Sequence, residues 1–330
     1  MADKISVFDP YGYLGLLRNP DGSVSRVHEF PFTPAATDLL HPSLVLTKDV
    51  PINQSTNTWA RIYLPRQALD NSPPAKLPLL VYYHGGGFVV CTAGSTIVHD
   101  FVAVVAAETN SVIVSVEYRR APEHRLPAAY DDCFEALHWI KTSPDEWLTR
   151  FADFSNCFLM GTSAGGNITY FMGLRAAAAV ADLEPLRIRG LIFHHAFYGG
   201  TKRTASEMRL SGDKIVPLSL NATDLMWELA LPAGADRDHQ YSNPMAGGDW
   251  EIIDEIRKLG WKVLTTGYEG DPLIDRQIEQ ANVLEEKGVK VVRWFCEGGY
   301  HGLEAVEPSK AKPLCEVLKD FISSSSSFAC

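Results

Sequence analysis

Gly161-Thr162-Ser163-Ala164-Gly165 reads G-x-S-x-G and directly follows the apolar run Cys157-Phe158-Leu159-Met160. A helical apolar pattern comes after it. A strand, a turn too tight for a Cβ at its glycines and a helix would push the Ser163 hydroxyl out above a sheet edge, beside the positive end of the helix. That is a setting for a nucleophile in acyl transfer. Upstream, His84-Gly85-Gly86-Gly87-Phe88 follows a strand-like run at 79–83. Acyl transfer needs a place for an oxyanion, and backbone N–H groups of a glycine-rich loop can point at one with no side chain in the way. Donors are expected from Gly86 and Gly87, with Gly85 as a further candidate, and from Ala164 just after the serine. A phosphate cradle is the alternative use of such a loop. No nucleotide-binding glycine pattern stands in the required setting, which argues against it.

The base and the acid follow from chain order, which in this type of site runs serine, carboxylate, histidine. His301 is the only histidine after residue 239 and sits in the glycine-flanked loop Glu297-Gly298-Gly299-Tyr300-His301-Gly302. The carboxylate is expected on the loop after the strand-like run Lys262–Tyr268, which carries Glu269, Asp271 and Asp275. Asp271, just after Gly270 and before Pro272, is preferred. Asp275 reads as the N-cap of the next helix. Asp271 would orient the His301 ring and stabilise the imidazolium without taking the proton.

These residues need elements to hold them. Runs at 79–83, 112–118, 157–160, 188–197, 262–268 and 289–295 read as buried strands, and 59–64 alternates like an edge strand. Helical patterns lie near 96–108, 131–141, 164–182, 276–288 and 311–321. The alternation implies an α/β class with a mainly parallel central sheet covered by helices on both faces. Ligands in such sheets bind at the C-terminal strand edge, where all the residues above fall. The 330 residues are read as a single domain. Two stretches break the pattern: about 1–40, expected as a short helix and loops, and about 201–258, which contains a helix near 220–229. Together they are expected to form a helical cap, with Trp227 either facing the pocket or packing inside the cap.

A formal charge of −10, from 30 basic and 40 acidic residues without a basic run, argues against nucleic acid and anionic membrane surfaces. No segment approaches the roughly 18 unbroken apolar residues of a membrane span. No apolar segment follows Met1-Ala2-Asp3-Lys4, so no signal peptide and a cytoplasmic location are expected. The cysteines at 91, 133, 157, 296, 315 and 330 are dispersed and read as free thiols. Cys157 and Cys296 are expected in the core, Cys91 in the core or the pocket wall, and Cys330 in an exposed tail. The sequons at Asn53, Asn167 and Asn221 are read as chance matches, Asn167 lying in the helix behind the serine.

The chain resembles the plant carboxylesterases of the hormone-sensitive-lipase-like branch of the α/β-hydrolases. The resemblance runs from about Tyr11 to the last helix. It is carried by Tyr83-His84-Gly85-Gly86-Gly87-Phe88, Tyr118-Arg119-Arg120-Ala121-Pro122-Glu123-His124, the run 126–132, Gly161-Thr162-Ser163-Ala164-Gly165-Gly166-Asn167, Gly270-Asp271-Pro272-Leu273 and His301. It implies an α/β-hydrolase fold, a triad of Ser163, Asp271 and His301, and a structural turn at 119–132 in which His124 is not catalytic. One departure stands out: the family usually has proline where this chain has Ala196, in Phe193-His194-His195-Ala196-Phe197. His194 and His195 are read as hydrogen-bonded buried histidines, with a pocket-facing place as the alternative.

The expected activity is hydrolysis of carboxylic esters without metal or cofactor. Phe88, Val89, Val90, Phe197, Tyr198 and Tyr300 suggest an apolar, aromatic-walled pocket for small acyl groups on apolar or aromatic alcohols. Two rivals share the scaffold: a lyase or cyclase of plant specialised metabolism, and a non-enzymatic small-molecule receptor. The receptor relatives lack the catalytic histidine, which this chain keeps at His301. The sequence sets no oligomeric state.

Overall fold

A computed structural model of the protein describes residues 9–38, 43–70, 75–211, 218–247 and 250–324. Two short strands, β1 (Leu16–Arg18) and β2 (Val24–Arg26), pair as a separate antiparallel hairpin. Eight more form one sheet: β3 (Val45–Asn53), β4 (Thr58–Pro65), β5 (Leu77–Tyr83), β6 (Val112–Glu117), β7 (Ala152–Thr162), β8 (Ile188–His194), β9 (Lys262–Tyr268) and β10 (Lys290–Cys296). Their spatial order is β10-β9-β8-β7-β5-β6-β4-β3. Only β4 runs against its neighbours; the pairs from β6 across to β10 are all parallel. Strands covered on both faces need apolar side chains in both directions. Cys157 through Thr162 in β7 is accordingly buried at every position.

The two sheet edges differ from expectation. The run 59–64 is the second strand, because β3 pairs along its outer side from Val45↔Pro65 to Asn53↔Thr58. β3 mixes Lys48, Asp49 and Pro51 with apolar residues, so it carries little strand signal. At the other end β10, expected to be buried, is an edge strand with Val292 45% exposed. Cys296, at its end, is half-buried rather than core, whereas Cys157 is fully buried. The five cysteines among the described residues are free, and Cys330 lies outside them.

Helices Thr96–Thr109 and Ala311–Ser323 pack together against one face, and Ala128–Thr142 and Ala164–Ala178 against the other. Trp250–Lys258, expected within the cap, packs on Ala164–Ala178 instead, because Ile253 and Ile256 form an apolar stripe that is buried there. The turn of helix Pro10–Tyr13 lies against helix Leu220–Ala230. The β1–β2 hairpin was not expected in the N-terminal segment. Its Arg26 donates to the carbonyls of Val89 (2.6 Å) and Ala121 (2.9 Å), which ties the hairpin to the glycine loop. Helix Ala205–Leu210 opens with a capping box between Thr204 and Glu207. It docks on the loop after β9 through Ser206 Oγ to Pro272 O (2.7 Å) and a buried Arg276–Glu207 pair (3.0 Å).

Candidate active site

Ser163 sits between β7 and helix Ala164–Ala178 at φ 56°, ψ −118°. A non-glycine residue is costly there and must be held by its surroundings. Ser163 N–H donates to His194 O, and Phe197 N–H donates to Ser163 O, each at 2.9 Å. The flanking glycines are required by contact. A Cβ on Gly161 would lie 2.0 Å from Gly165 O, and one on Gly165 would lie 1.8 Å from Tyr83 O.

His301 Nε2 lies 2.9 Å from Ser163 Oγ, and His301 Nδ1 lies 2.8 Å from Asp271 Oδ2. Asp271 is fully buried and keeps two further donors: Leu273 N–H to Oδ1 and Gln277 Nε2 to Oδ2, both at 2.9 Å. Burial alone would raise the Asp271 carboxyl, but His301 beside it holds it well below the usual range. Of the three acids on this loop only Asp271 reaches His301. Asp275 is not the N-cap, which is Leu273; it lies in the first turn and accepts from Ser206 N–H at 2.7 Å.

The loop at Gly85–Gly87 follows β5 and faces the serine: a Cβ on Gly85 would lie 3.2 Å from Ser163 Cβ. Gly86 and Gly87 have φ of 108° and 59°. Gly86 O accepts from Val89 N–H (3.0 Å) and Val90 N–H (2.8 Å), which curls the loop. Among the described residues no protein group accepts from the N–H of Gly86 or Gly87. Ala164 N–H opens the helix next to Ser163. Beneath the loop, His84 Nδ1–H donates to Gly85 O (2.8 Å), its ring stacks on Tyr118, and Tyr118 OH donates to His84 O (2.9 Å). Burial lowers His84 to about 3, so it is a neutral spacer.

Phe88, Phe197 and Trp227 form one aromatic cluster. Phe197 and Trp227 stack at 4.5 Å, and Phe88 lies 5.6 Å from Trp227. Trp227, 1% exposed, packs inside this cluster from helix Leu220–Ala230. Met226, its neighbour, fills the space above Gly87: a Cβ on Gly87 would meet its sulfur at 2.1 Å. Val89 and Val90 are buried in the loop behind them. Tyr198, like Phe197, is deeply buried, and Tyr300 is half-buried. The Tyr198 ring packs edge-on to Tyr170 and its hydroxyl accepts from Gln280, so it belongs to the core. Tyr300 donates its hydroxyl to Glu307 (2.7 Å). Cys91 is buried, and burial pushes its thiol up to about 12, unsuited to nucleophilic work.

The family model described as the alpha/beta hydrolase fold matches residues 80–305. Carboxylesterase 20 of Arabidopsis thaliana is 50% identical over 325 residues, covering 98% of this chain and 99% of the relative. The chain belongs to the plant carboxylesterases of the α/β-hydrolase family. A 3-O-acetylpapaveroxine carboxylesterase of Papaver somniferum, CXE2, is 42% identical over 95% of this chain and 99% of its own. An esterase structure from Pyrobaculum calidifontis matches with TM-score 0.68 and 26% identity, over 84% of this chain and 85% of that one.

For this plant carboxylesterase, sequence reasoning missed Gln277 and Glu304. Gln277 reaches Asp271 from the first turns of the helix that follows it, and Glu304 acts through contacts across the fold that no local pattern marks. Glu304 is fully buried and accepts from Tyr268 OH at Oε1 (2.9 Å). Its Oε2 lies 3.3 Å from His194 Nε2 and 3.5 Å from His195 Nε2. Burial opposes ionisation of Glu304, yet the two histidines hold it down to about 2. Both histidines are fully buried; burial lowers His194 to about 4. His124 is exposed, and none of its side-chain contacts among the described residues is to Ser163, His301 or Asp271. Asn167, in a sequon, is buried and takes Tyr130 OH at Oδ1 (2.7 Å) while donating to Phe197 O and Tyr241 O.

Proposed function

We propose that this carboxylesterase cleaves esters of small acyl groups on apolar or aromatic alcohols through an acyl-enzyme on Ser163. The continuous contact from Ser163 Oγ through His301 to Asp271 Oδ2 carries this reading. His301 Nε2 takes the hydroxyl proton as Ser163 Oγ attacks the ester carbonyl. The Gly86, Gly87 and Ala164 N–H groups, with Gly85 beside them, hold the oxyanion. His301 returns the proton to the departing alcohol, then activates water, which releases the acid and restores Ser163. Asp271 keeps Nδ1–H in place and stabilises the imidazolium. The Phe88–Phe197–Trp227 cluster supports an apolar, aromatic-tolerant pocket. Helix Leu220–Ala230, helix Ala205–Leu210 and the N-terminal segment would form the cover over it.

A p-nitrophenyl phosphonate tests the assignment. One equivalent of label on Ser163, with loss of turnover in proportion to labelling, is expected; label elsewhere sinks it. Product analysis separates hydrolysis, which yields acid and alcohol with one water consumed, from elimination, in which no water is added.

A further inference from the structure

We propose that His195 is a positioning residue for His301: its ring clasps the segment that carries the catalytic base, and Glu304 orients that ring. This rests on the reading of Ser163, His301 and Asp271 as the machinery.

His195 is wholly buried just past the end of β8, at φ 51°. Its backbone N–H donates to Thr266 O at 3.1 Å, which ties it to β9. The ring lies 5.6 Å from the His301 ring. Gly302 N–H, one residue beyond His301, donates to His195 Nδ1 at 3.3 Å. An imidazole nitrogen that accepts carries no proton, so the His195 proton is on Nε2. Nε2 lies 3.5 Å from Glu304 Oε2, an electrostatic contact rather than a hydrogen bond, and no other described acceptor is in reach of it.

The neighbouring donors agree on Glu304 as acceptor. Tyr82 OH donates to Thr162 Oγ1 (2.8 Å), which leaves the Thr162 proton for His194 Nδ1 (2.8 Å). His194 then carries its proton on Nε2, facing Glu304. One ring therefore meets the segment that starts at His301 at two points, a hydrogen bond from Gly302 N–H and an electrostatic contact with the Glu304 carboxylate. A base must sit within hydrogen-bond reach of the proton it takes, and a misplacement near 1 Å costs about 100-fold. His195 also stands 3.6 Å from Asp271 Oδ2 through an unprotonated nitrogen, so it leaves that oxygen to His301 and Gln277.

The test compares His195→Gly with His195→Asn in the full chain, using p-nitrophenyl acetate. Both residues accept a φ near 51°, so backbone strain does not separate them. Only asparagine offers an oxygen near the place of Nδ1. Each kcat is taken per Ser163 titrated by a phosphonate. The glycine variant is expected to lose about 10- to 100-fold in kcat with KM within about twofold of wild type. Asparagine should recover kcat to within about fivefold of wild type. A glycine variant within twofold of wild type, or asparagine no better than glycine, overturns the proposal. Should the glycine variant not fold, Glu304→Gln decides: about a 3- to 10-fold loss in kcat at unchanged KM supports it, and wild-type kcat overturns it. A wild type that turns over no ester would instead sink the reading of the site itself.

Discussion

Gly165 packs so closely beneath the end of β5 that a Cβ on it would stand 1.8 Å from the Tyr83 carbonyl oxygen. Tyr83 leads directly into His84 and Gly85–Gly87, and Gly165 lies two residues past Ser163. The spacing between nucleophile and oxyanion loop is thus fixed by backbone against backbone, with no adjustable side chain between them. Gly165→Ala is expected to destabilise the fold by about 3 kcal/mol or more, since neither backbone can yield without moving a central strand. Thermal melts followed by circular dichroism check this; a midpoint equal to wild type contradicts it.

Asp271→Asn keeps the shape of the side chain and an acceptor for Leu273 N–H. It replaces the carboxylate that selects the His301 tautomer. The expected result is a folded protein with kcat lower by about 10⁴-fold. A loss below tenfold would show that Asp271 does not orient His301.

Met226 occupies the space above Gly87. Met226→Ala should open that space and raise kcat/KM for p-nitrophenyl butyrate relative to acetate by about 10-fold, the low end of what one methylene is worth in an apolar pocket. An unchanged ratio would place Met226 outside the substrate pocket.

The pH dependence of stability follows from buried groups. Burial holds His194 at about 4 and His84 at about 3, both below the ordinary 6.5, and pushes Glu117 from 4.5 up to about 7. A depressed histidine contributes stability above about 6.5 that is lost as pH falls. A raised carboxyl contributes stability below about 4.5 that is lost as pH rises through about 7. Between those limits two histidines oppose one carboxyl, so stability rises with pH. The thermal midpoint should fall from pH 6.5 to 4.5, and more steeply in Glu117→Gln, where the opposing group is gone. A shallower slope in that variant contradicts the account.

The triad residues were legible because each stands in a glycine-bearing loop just after an apolar strand, and chain order then left few candidates. The parallel sheet was legible for a related reason: strands buried on both faces read as unbroken apolar runs. Elements outside that regime were missed or misplaced. β3 carries Lys48, Asp49 and Pro51 because an edge strand tolerates them, and its absence made β4 look like the edge. Trp250–Lys258 falls in the stretch of about 201–258 that breaks the strand–helix alternation and so reads as cover, whereas Ile253 and Ile256 bury it against helix Ala164–Ala178. Tyr198 looked like pocket wall from its neighbours, yet one residue past Phe197 it points to Gln280 in the core. The roles of Glu304, His194 and His195 exist only as contacts between distant strands and loops, which no local pattern announces.

The most direct measurement is hydrolysis of p-nitrophenyl acetate by the wild type beside Ser163→Ala. The account predicts strong wild-type turnover and a loss of about 10⁶-fold in the variant, with an unchanged fold. Turnover by the variant within tenfold of wild type, or none by a well-folded wild type, would contradict it.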